Sequence, residues 1–157
     1  MTEPSPTASR DVSAADASLA LRGCPVHTLK DRLRDVGLRP TRQRISLGWL
    51  LFAKGDRHIT AEMLYEEAMR ARVPVSLATV YNTLHQFTDV GLLRQLAVDG
   101  SKSYFDTNVT DHHHFFVEGD EQLIDMPMEI AVGELPKAPA GMEIARVDVI
   151  VRLRKSA

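Results

Sequence analysis

The fold is decided by the stretch from Pro74 to Leu93, which reads PVSLATVYNTLHQFTDVGLL. Ser76 is a favourable N-cap and Gly91 a favourable stop, so the stretch predicts one helix. The apolar stripe of this helix consists of Leu77, Val80, Tyr81, Leu84 and Phe87. The opposite side is small or hydrogen-bonding and almost uncharged, and it consists of Ala78, Thr79, Asn82, His85 and Gln86. Such a face suits a helix in the DNA major groove, with an ordinary core helix as the open alternative.

Three further helices are predicted ahead of this stretch, each behind a threonine N-cap. The caps and expected ranges are Thr28 with 29–36, Thr41 with 42–52, and Thr60 with 61–72. In the second helix we expect Ile45, Trp49 and Phe52 to share a face.

Basic side chains surround the start of the second predicted helix, although the net charge of the chain is only −2. Arg39, Arg42 and Arg44 lie where the positive end of a helix assists phosphate contact. A solvated basic face is the alternative for these arginines. Most of the acidic residues lie in the later half, which indicates a basic module joined to an acidic or cation-binding one.

A β-hairpin is predicted after the helices, with strand-like runs at 92–98 and 102–107 joined through Asp99-Gly100. The last three of the four predicted helices, followed by this hairpin, have the order of a winged helix. The expected class is therefore α+β, with an N-terminal winged helix-turn-helix at 23–107 and a C-terminal α/β dimerisation domain at 108–157. Residues 1–22 are rich in small and polar side chains, and we expect a disordered tail there.

The second module contains strand-like runs at 112–117, 122–126 and 146–154, the last of which alternates apolar and polar residues. A small sheet with one apolar face needs a cover, and a second copy of the same sheet supplies one. We therefore expect a homodimer with two-fold symmetry, and a higher oligomer stays open. Two recognition helices would then meet two half-sites on double-stranded DNA.

Three consecutive histidines begin this module. On a strand, His112 and His114 share one face and His113 takes the other. Two imidazoles on one face can chelate an ion, and the carboxylates of Asp106 and Asp125 favour Mn²⁺, Fe²⁺ or Zn²⁺. A polar strand end with exposed histidines is the alternative.

The chain has one cysteine, Cys24, so no disulfide can form within the chain. Pro25 follows this cysteine directly. Proline keeps the preceding residue extended, where the thiolate could ligate ferric haem iron. Chance is the alternative explanation of such a short motif.

The chain resembles the ferric uptake regulators from about Leu29 to Arg152. The resemblance rests on ordered stretches: GLRPTRQR at 37–44, His58 ahead of TAEMLY at 60–65, SLATVY at 76–81, KSYFD at 102–106, and HHH at 112–114. It implies a winged helix, a dimerisation domain and metal-dependent DNA binding. The implied metal ligands are His58, Asp106, His112, His114 and Asp125. The residues expected at DNA are Arg39, Arg42, Arg44, Ser76, Thr79, Tyr81 and Asn82.

The chain departs from the family pattern at three places. Val117 and Asp120 stand where the family has a Cys-x-x-Cys zinc pair, the region of Val147 has no histidine, and Asn82 replaces a common arginine. With these departures, the Cys24-Pro25 pair and the three histidines, the chain resembles the haem-responsive branch of the family. This branch is called the iron response regulators, and its members regulate haem and iron metabolism. The expected haem ligands are Cys24, His112, His113 and His114.

We therefore expect a transcriptional regulator responsive to haem and to a divalent metal, and not an enzyme. A haem or metal-binding storage or redox protein without specific DNA binding is the alternative, because His112, His114 and a carboxylate could form an iron-binding triad. No apolar run is long enough for a membrane span and no signal peptide is visible, so we expect a cytoplasmic protein without a membrane partner.

Overall fold

A computed structural model describes residues 26–98, 100 and 102–156. Within these ranges, the helices are α1 (Val26–Asp35), α2 (Arg42–Phe52), α3 (Ala61–Arg70) and α4 (Leu77–Asp89). The strands are β1 (His58–Ile59), β2 (Arg94–Ala97), β3 (Ser103–Asp106), β4 (His114–Val117), β5 (Gln122–Asp125) and β6 (Ile150–Leu153). The predicted tail at 1–22 and Cys24 lie outside the described residues. None of the described helices has the length and apolar character required to cross a bilayer.

Three predicted N-caps are confirmed, because their hydroxyl groups accept a hydrogen bond from a backbone N–H three residues ahead. These caps are Thr41, Thr60 and Ser76. The prediction for Thr28 is wrong, since α1 already begins at Val26. The predicted end of the third helix is also wrong by two residues. The chain leaves α3 after Arg70 and turns at Arg72, which has a φ of 54°.

The main core lies between the helices and the first sheet, and its fully buried members include Leu33, Leu51 and Phe87. The apolar side chains predicted to share a face of α2 are not equally buried, because Trp49 is 39% exposed while Phe52 is buried. The reason is Gly48.

A Cβ atom added at Gly48 would lie 3.1 Å from Leu29 Cδ2. Its absence lets α1 approach α2 closely, so the buried side of α2 centres on Leu47, Gly48 and Leu51. Trp49 is therefore turned toward solvent.

The first sheet is antiparallel with the strand order β1–β3–β2. The predicted hairpin is present, since β2 and β3 pair from Arg94↔Asp106 to Ala97↔Ser103. β1 pairs on the other side of β3 and sets His58 opposite Asp106. The described residues up to 107 thus have the element order predicted for a winged helix.

The second sheet has the order β5–β4–β6, in which β4 pairs antiparallel with β5 and parallel with β6. A parallel neighbour requires a long crossover. Residues 126–149 make that crossover without helix or strand. The three strand-like runs of the second module are therefore present but shorter than predicted, and the mixed helix-and-sheet class is confirmed.

The two sheets pack against each other. Apolar side chains of the β2–β3 hairpin and of the second sheet form one buried cluster, which comprises Leu96, Val98, Tyr104, Phe116 and Leu123, with Ile150 against it. The rings of Tyr104 and Phe116 meet edge to face, with centroids 6.2 Å apart. Arg152 donates to the carbonyl of Val98 and stacks over Phe116. One face of the hairpin is therefore covered by the second module.

Candidate metal centre and nucleic-acid interface

Five side chains converge where the two sheets meet. His58 and Asp106 are cross-strand partners in the first sheet, and His114 and Asp125 are cross-strand partners in the second. His112 lies two residues ahead of His114 and on the same side, as the alternation of an extended chain predicts. One donor atom from each side chain lies within 4.8 Å of all the others. The structure thus brings together the five side chains that the resemblance implies as ligands.

The donor atoms are three imidazole nitrogens and two carboxylate oxygens. Asp106 Oδ2 lies 3.2 Å from His58 Nε2, 2.9 Å from His112 Nε2 and 3.0 Å from His114 Nε2. Asp125 Oδ1 lies 2.9, 3.1 and 3.5 Å from the same three nitrogens. Asp106 and His114 are fully buried, whereas Asp125 is partly open to solvent.

The carboxylates and imidazoles shift each other's protonation. Burial favours the neutral acid of Asp106, but the hydrogen bond with His114 and the facing ring of His58 outweigh it and hold the pKa of Asp106 far below its ordinary value. Burial also favours the neutral ring of His58. The neighbouring carboxylates of Asp106 and Asp125 outweigh this effect and raise the pKa of His58 above 6.5.

These residues fit a divalent cation. His112 Nδ1 lies 2.7 Å from the carbonyl oxygen of Thr110 and must donate there, because a carbonyl only accepts. This bond orients the ring of His112 so that Nε2 faces the carboxylate oxygens of Asp106 and Asp125. Three atoms of the described side chains are buried without a hydrogen bond of acceptable geometry: His58 Nε2 and Asp125 Oδ1 in the cluster, and Arg94 Nε on β2. A cation with a charge of +2 would satisfy all five donors and balance two carboxylates.

His113 is not part of this cluster. Its Nδ1 accepts a hydrogen bond from the backbone N–H of Val149 at 3.3 Å, on the opposite side of the chain. There it lines a cavity of about 350 Å³ together with Met126, Met128 and Ile130. Of the four expected haem ligands, the structure therefore places His112 and His114 in the metal cluster and His113 outside it.

The residues predicted to contact DNA lie on α4 and at the start of α2. Ser76 and Thr79 form the first turn of α4, where their hydroxyl groups are 3.0 Å apart. Asn82 is exposed, and so are Arg39 and Arg42. Tyr81 is partly buried, as expected for a residue at the edge of the apolar stripe.

Two of the predicted DNA residues have partners that the sequence did not reveal. Tyr81 donates its hydroxyl hydrogen to Glu62 Oε1 at 2.6 Å, which lowers the pKa of Glu62 and raises that of Tyr81. Arg44 donates Nε and Nη2 to Gln86 Oε1 at 3.0 and 2.9 Å, and Nη1 to the carbonyl of Arg39 at 2.8 Å. The start of α2 is thus tied to the second half of α4.

A family model described as "Ferric uptake regulator family" matches residues 35–149, which is most of the chain and includes all five side chains of the cluster. The chain belongs to the ferric uptake regulator family. The predicted resemblance is thereby confirmed at the level of the family.

Individual relatives cover less of the chain. The ferric uptake regulation protein of Vibrio cholerae is 38% identical over 82 residues, which are 52% of this chain and 54% of that protein. The peroxide-responsive repressor PerR of Staphylococcus epidermidis is 35% identical over 94 residues, which are 59% of this chain and 61% of that protein. The chain thus spans little more than half the length of the curated relatives that it matches.

Solved structures of ferric uptake regulators have the same fold. The regulator from Pseudomonas aeruginosa with manganese has a TM-score of 0.62 and 25% identity, over 82% of this chain and 98% of that chain. The regulator of Vibrio cholerae has a TM-score of 0.64 and 22% identity, over 81% and 99%. The similarity therefore extends over both sheets and not only over the winged helix.

Proposed function

We propose that this protein is a transcriptional regulator that binds DNA as a homodimer and responds to a divalent metal. The observation that carries the proposal is the cluster of five nitrogen and oxygen donors between the two sheets. Membership of the ferric uptake regulator family supports a role as a regulator rather than as an enzyme. A regulator of chromosomal genes acts in the bacterial cytoplasm, which is the location we propose.

The ion would act by fixing the relative position of the two sheets. His58 and Asp106 belong to the sheet of the winged helix, whereas His112, His114 and Asp125 belong to the second sheet and the loop that leads into it. An ion held by both groups favours the arrangement in which all five donors meet. Metal then raises DNA affinity if DNA prefers the same arrangement. Mn²⁺, Fe²⁺ and Zn²⁺ all suit this donor set.

DNA contact is proposed for the exposed side of α4 and the start of α2. Thr79, Tyr81 and Asn82 would meet base edges, while Ser76 and the arginines at 39, 42 and 44 would contact phosphate. The small polar side chains of α4 support this role, because they allow close approach to a groove. The face of the β2–β3 hairpin that packs on the second sheet is not available to DNA.

The test is DNA binding by fluorescence anisotropy with and without Mn²⁺, with DNA fragments selected from the genome by the purified protein. We expect the wild type to bind in the presence of metal and His58→Ala to lose both metal and DNA affinity. His113→Ala is the matched control, because its ring points away from the cluster. Sequence-specific binding that does not depend on metal would contradict a metal-responsive regulator. Metal binding without specific DNA binding would favour the storage protein.

We also propose that haem is a second signal, as in the iron response regulators. Cys24-Pro25 and the run of three histidines support this proposal through the resemblance. Because His112 and His114 belong to the metal cluster, haem and metal would compete there. We expect Cys24→Ala to lose ferric haem binding and the double variant His112→Ala/His114→Ala to lose ferrous binding, both followed by absorption spectra. Wild-type spectra in both variants would leave a metal-only regulator.

The homodimer is proposed because the second module carries large apolar side chains in contact with solvent. They are Ile124, Met128, Val132, Leu135, Met142, Ile144 and Leu153, each at least 36% exposed. A second copy would bury this surface. Light scattering measures the mass in solution, and we expect twice the chain mass. A monomer at micromolar concentration would contradict this part of the proposal.

A further inference from the structure

Arg94 is a buried cation on the first sheet with no part in the five-donor cluster. It lies on β2 directly opposite Asp106, and only 4% of the residue is exposed. A buried guanidinium group is costly unless its donors are satisfied. Nε of Arg94 is buried without a hydrogen bond among the described residues, whereas Nη1 and Nη2 have partners. The partners of Nη1 and Nη2 therefore indicate why this position carries an arginine.

The partners of Arg94 lie on the two chain segments that lead into the second sheet. Nη1 lies 3.3 Å from the carbonyl oxygen of Thr110 and 3.5 Å from that of His112. Nη2 forms an ion pair with Asp148, just ahead of β6. One side chain thus connects the hairpin, the loop between two cluster residues, and the segment that enters β6.

That loop, residues 106–112, contains a series of hydrogen bonds that links two of the cluster residues. Asp106 Oδ1 accepts from Asn108 N at 2.8 Å, and Asn108 Oδ1 accepts from Thr110 N and Oγ1 at 3.2 and 2.6 Å. The carbonyl of Thr110 accepts from His112 Nδ1 at 2.7 Å. Arg94 bonds to this same carbonyl, so it holds the acceptor that orients the His112 ring.

We propose that Arg94 is a positioning residue of the metal centre and that it acts through His112. It fixes the carbonyl of Thr110, which accepts from His112 Nδ1 and so orients the ring with Nε2 toward the other four donors. Such outer partners of metal-binding histidines commonly change metal affinity by about 10–100-fold. The inference rests on the proposed metal response, but its test includes a measurement on metal-free protein.

The charge of Arg94 and its positioning role have opposite expected effects on metal affinity when Arg94 is replaced. A positive charge near the cluster repels a cation, so loss of the charge alone would tighten metal binding. Loss of the positioning role would weaken it. We expect Arg94→Met to lower Co²⁺ affinity by about 10–100-fold, measured from the visible absorption of the bound ion. Arg94→Lys keeps the charge and one donor group, so we expect a smaller loss.

Arg152→Met is the matched control. Arg152 also joins the hairpin to the second sheet, through the carbonyl of Val98, but it does not touch the 106–112 loop. We expect wild-type Co²⁺ affinity in this variant. In a His112→Ala background, Arg94→Met should cause no further loss of Co²⁺ affinity, because the residue through which it acts is gone.

Proton NMR of His112 in metal-free protein provides the second readout, because its Nδ1 proton is held by the carbonyl of Thr110. In the wild type we expect this proton to exchange slowly with solvent, and in Arg94→Met to exchange rapidly. If Arg94→Met does not fold, Arg94→Lys serves in both experiments. Unchanged or tighter Co²⁺ binding, the same loss in the His112→Ala background, or equal exchange of the Nδ1 proton in all variants would overturn the inference. Absence of metal binding in the wild type would refute the proposed function, while the NMR arm would still decide the role of Arg94.

Discussion

At the scale of single residues, the bond between Tyr81 and Glu62 bears directly on DNA recognition. The carboxylate of Glu62 holds the hydroxyl of Tyr81 on α4 and places a negative charge beside the proposed DNA face. We expect Glu62→Gln to raise affinity for all DNA several-fold, because a charge that repels phosphate is removed. We also expect a lower ratio of specific to nonspecific affinity, because the Tyr81 ring becomes freer.

Glu66→Gln is the control for charge, since Glu66 is exposed four residues further along α3. It should raise affinity without a change in the specificity ratio. Anisotropy titrations with operator and scrambled DNA measure both quantities. Equal ratios for the two variants would show that Glu62 does not position Tyr81.

A second residue pair predicts how stability responds to acid. The guanidinium group of Arg57 lies against Glu67 on α3 and lowers the pKa of Glu67 below 4.5, despite partial burial. A carboxyl group whose pKa is lowered on folding stabilises the protein above its unfolded pKa and loses this effect as pH falls through the folded value. Glu67→Gln should therefore destabilise the protein by about 2 kcal/mol at pH 7.

This difference in unfolding free energy should shrink as the pH falls below 4.5. Urea denaturation of the wild type and of Glu67→Gln at pH 7, 5 and 3 measures it. Glu66→Gln again serves as the control and should follow the wild type at each pH. A difference that is the same at all three values would contradict the stabilising ion pair.

At the scale of elements, the contact of Arg44 with Gln86 determines how α2 supports α4. Three of the five N–H groups of Arg44 are occupied by Gln86 and the carbonyl of Arg39, which leaves two for a phosphate. We expect Arg44→Ala to weaken binding to all sequences and to lower the salt slope by about one. Gln86→Ala removes only the link between helices, so it should reduce affinity without changing the salt slope.

Thr79→Ala completes this experiment, because it should change base preference and not the salt slope. Anisotropy titrations across salt concentrations measure all three variants. The same salt slope in Arg44→Ala and Gln86→Ala would show that Arg44 acts on DNA only through the position of α4.

Local chemistry explains which elements could be predicted from the sequence. A hydroxyl group three residues from a free N–H sufficed to locate Thr41, Thr60 and Ser76 as caps. Alternation of an extended chain predicted that His112 and His114 share one side. The rotation of α2 could not be predicted in this way, because it depends on the contact of Gly48 with Leu29, which belongs to another helix.

Long-range pairs explain what was missed at the candidate sites. Tyr81 and Glu62 are 19 residues apart, and Arg44 and Gln86 are 42 apart. Each of these side chains is ordinary for a helix surface, so no local pattern marks the partner. Four donors of the cluster were anticipated from local chemistry, because His112 and His114 share one side of an extended chain and two carboxylates lie near them in sequence. His58 was added by the resemblance to a family. Arg94 had no such signal, since one arginine in a strand is also typical of a solvent face.

At the scale of the whole molecule, the buried cluster between the two sheets couples the winged helix to the second module. Tyr104 packs its ring on Phe116 and donates its hydroxyl hydrogen to the carbonyl of Glu121 at 3.0 Å. We expect Tyr104→Ala to lower the unfolding free energy by about 3 kcal/mol and Tyr104→Phe by about 1 kcal/mol. Hydrogen exchange should increase in β2, β3 and β4 but not in α2.

Urea denaturation and mass-detected hydrogen exchange measure these effects, with Tyr65→Phe as the control in the helical core. If hydrogen exchange increases equally in all elements, the two modules unfold together. The contact of Tyr104 with Phe116 would then not stabilise the interface separately from the helical core.

The crossover at 126–149 has a consequence for assembly during translation. β4 is the central strand of its sheet, but its parallel neighbour β6 is synthesised only after this long segment. Until then the backbone N–H and C=O groups along one edge of β4 have no strand partner, and such an edge can pair with another nascent chain. The helices and the hairpin can fold earlier, because their contacts are closer in sequence. All five donors precede residue 126, so β4 and β5 can complete the donor set before β6 is synthesised, and an ion bound at that stage would hold β4 against the first sheet while its other edge is still open.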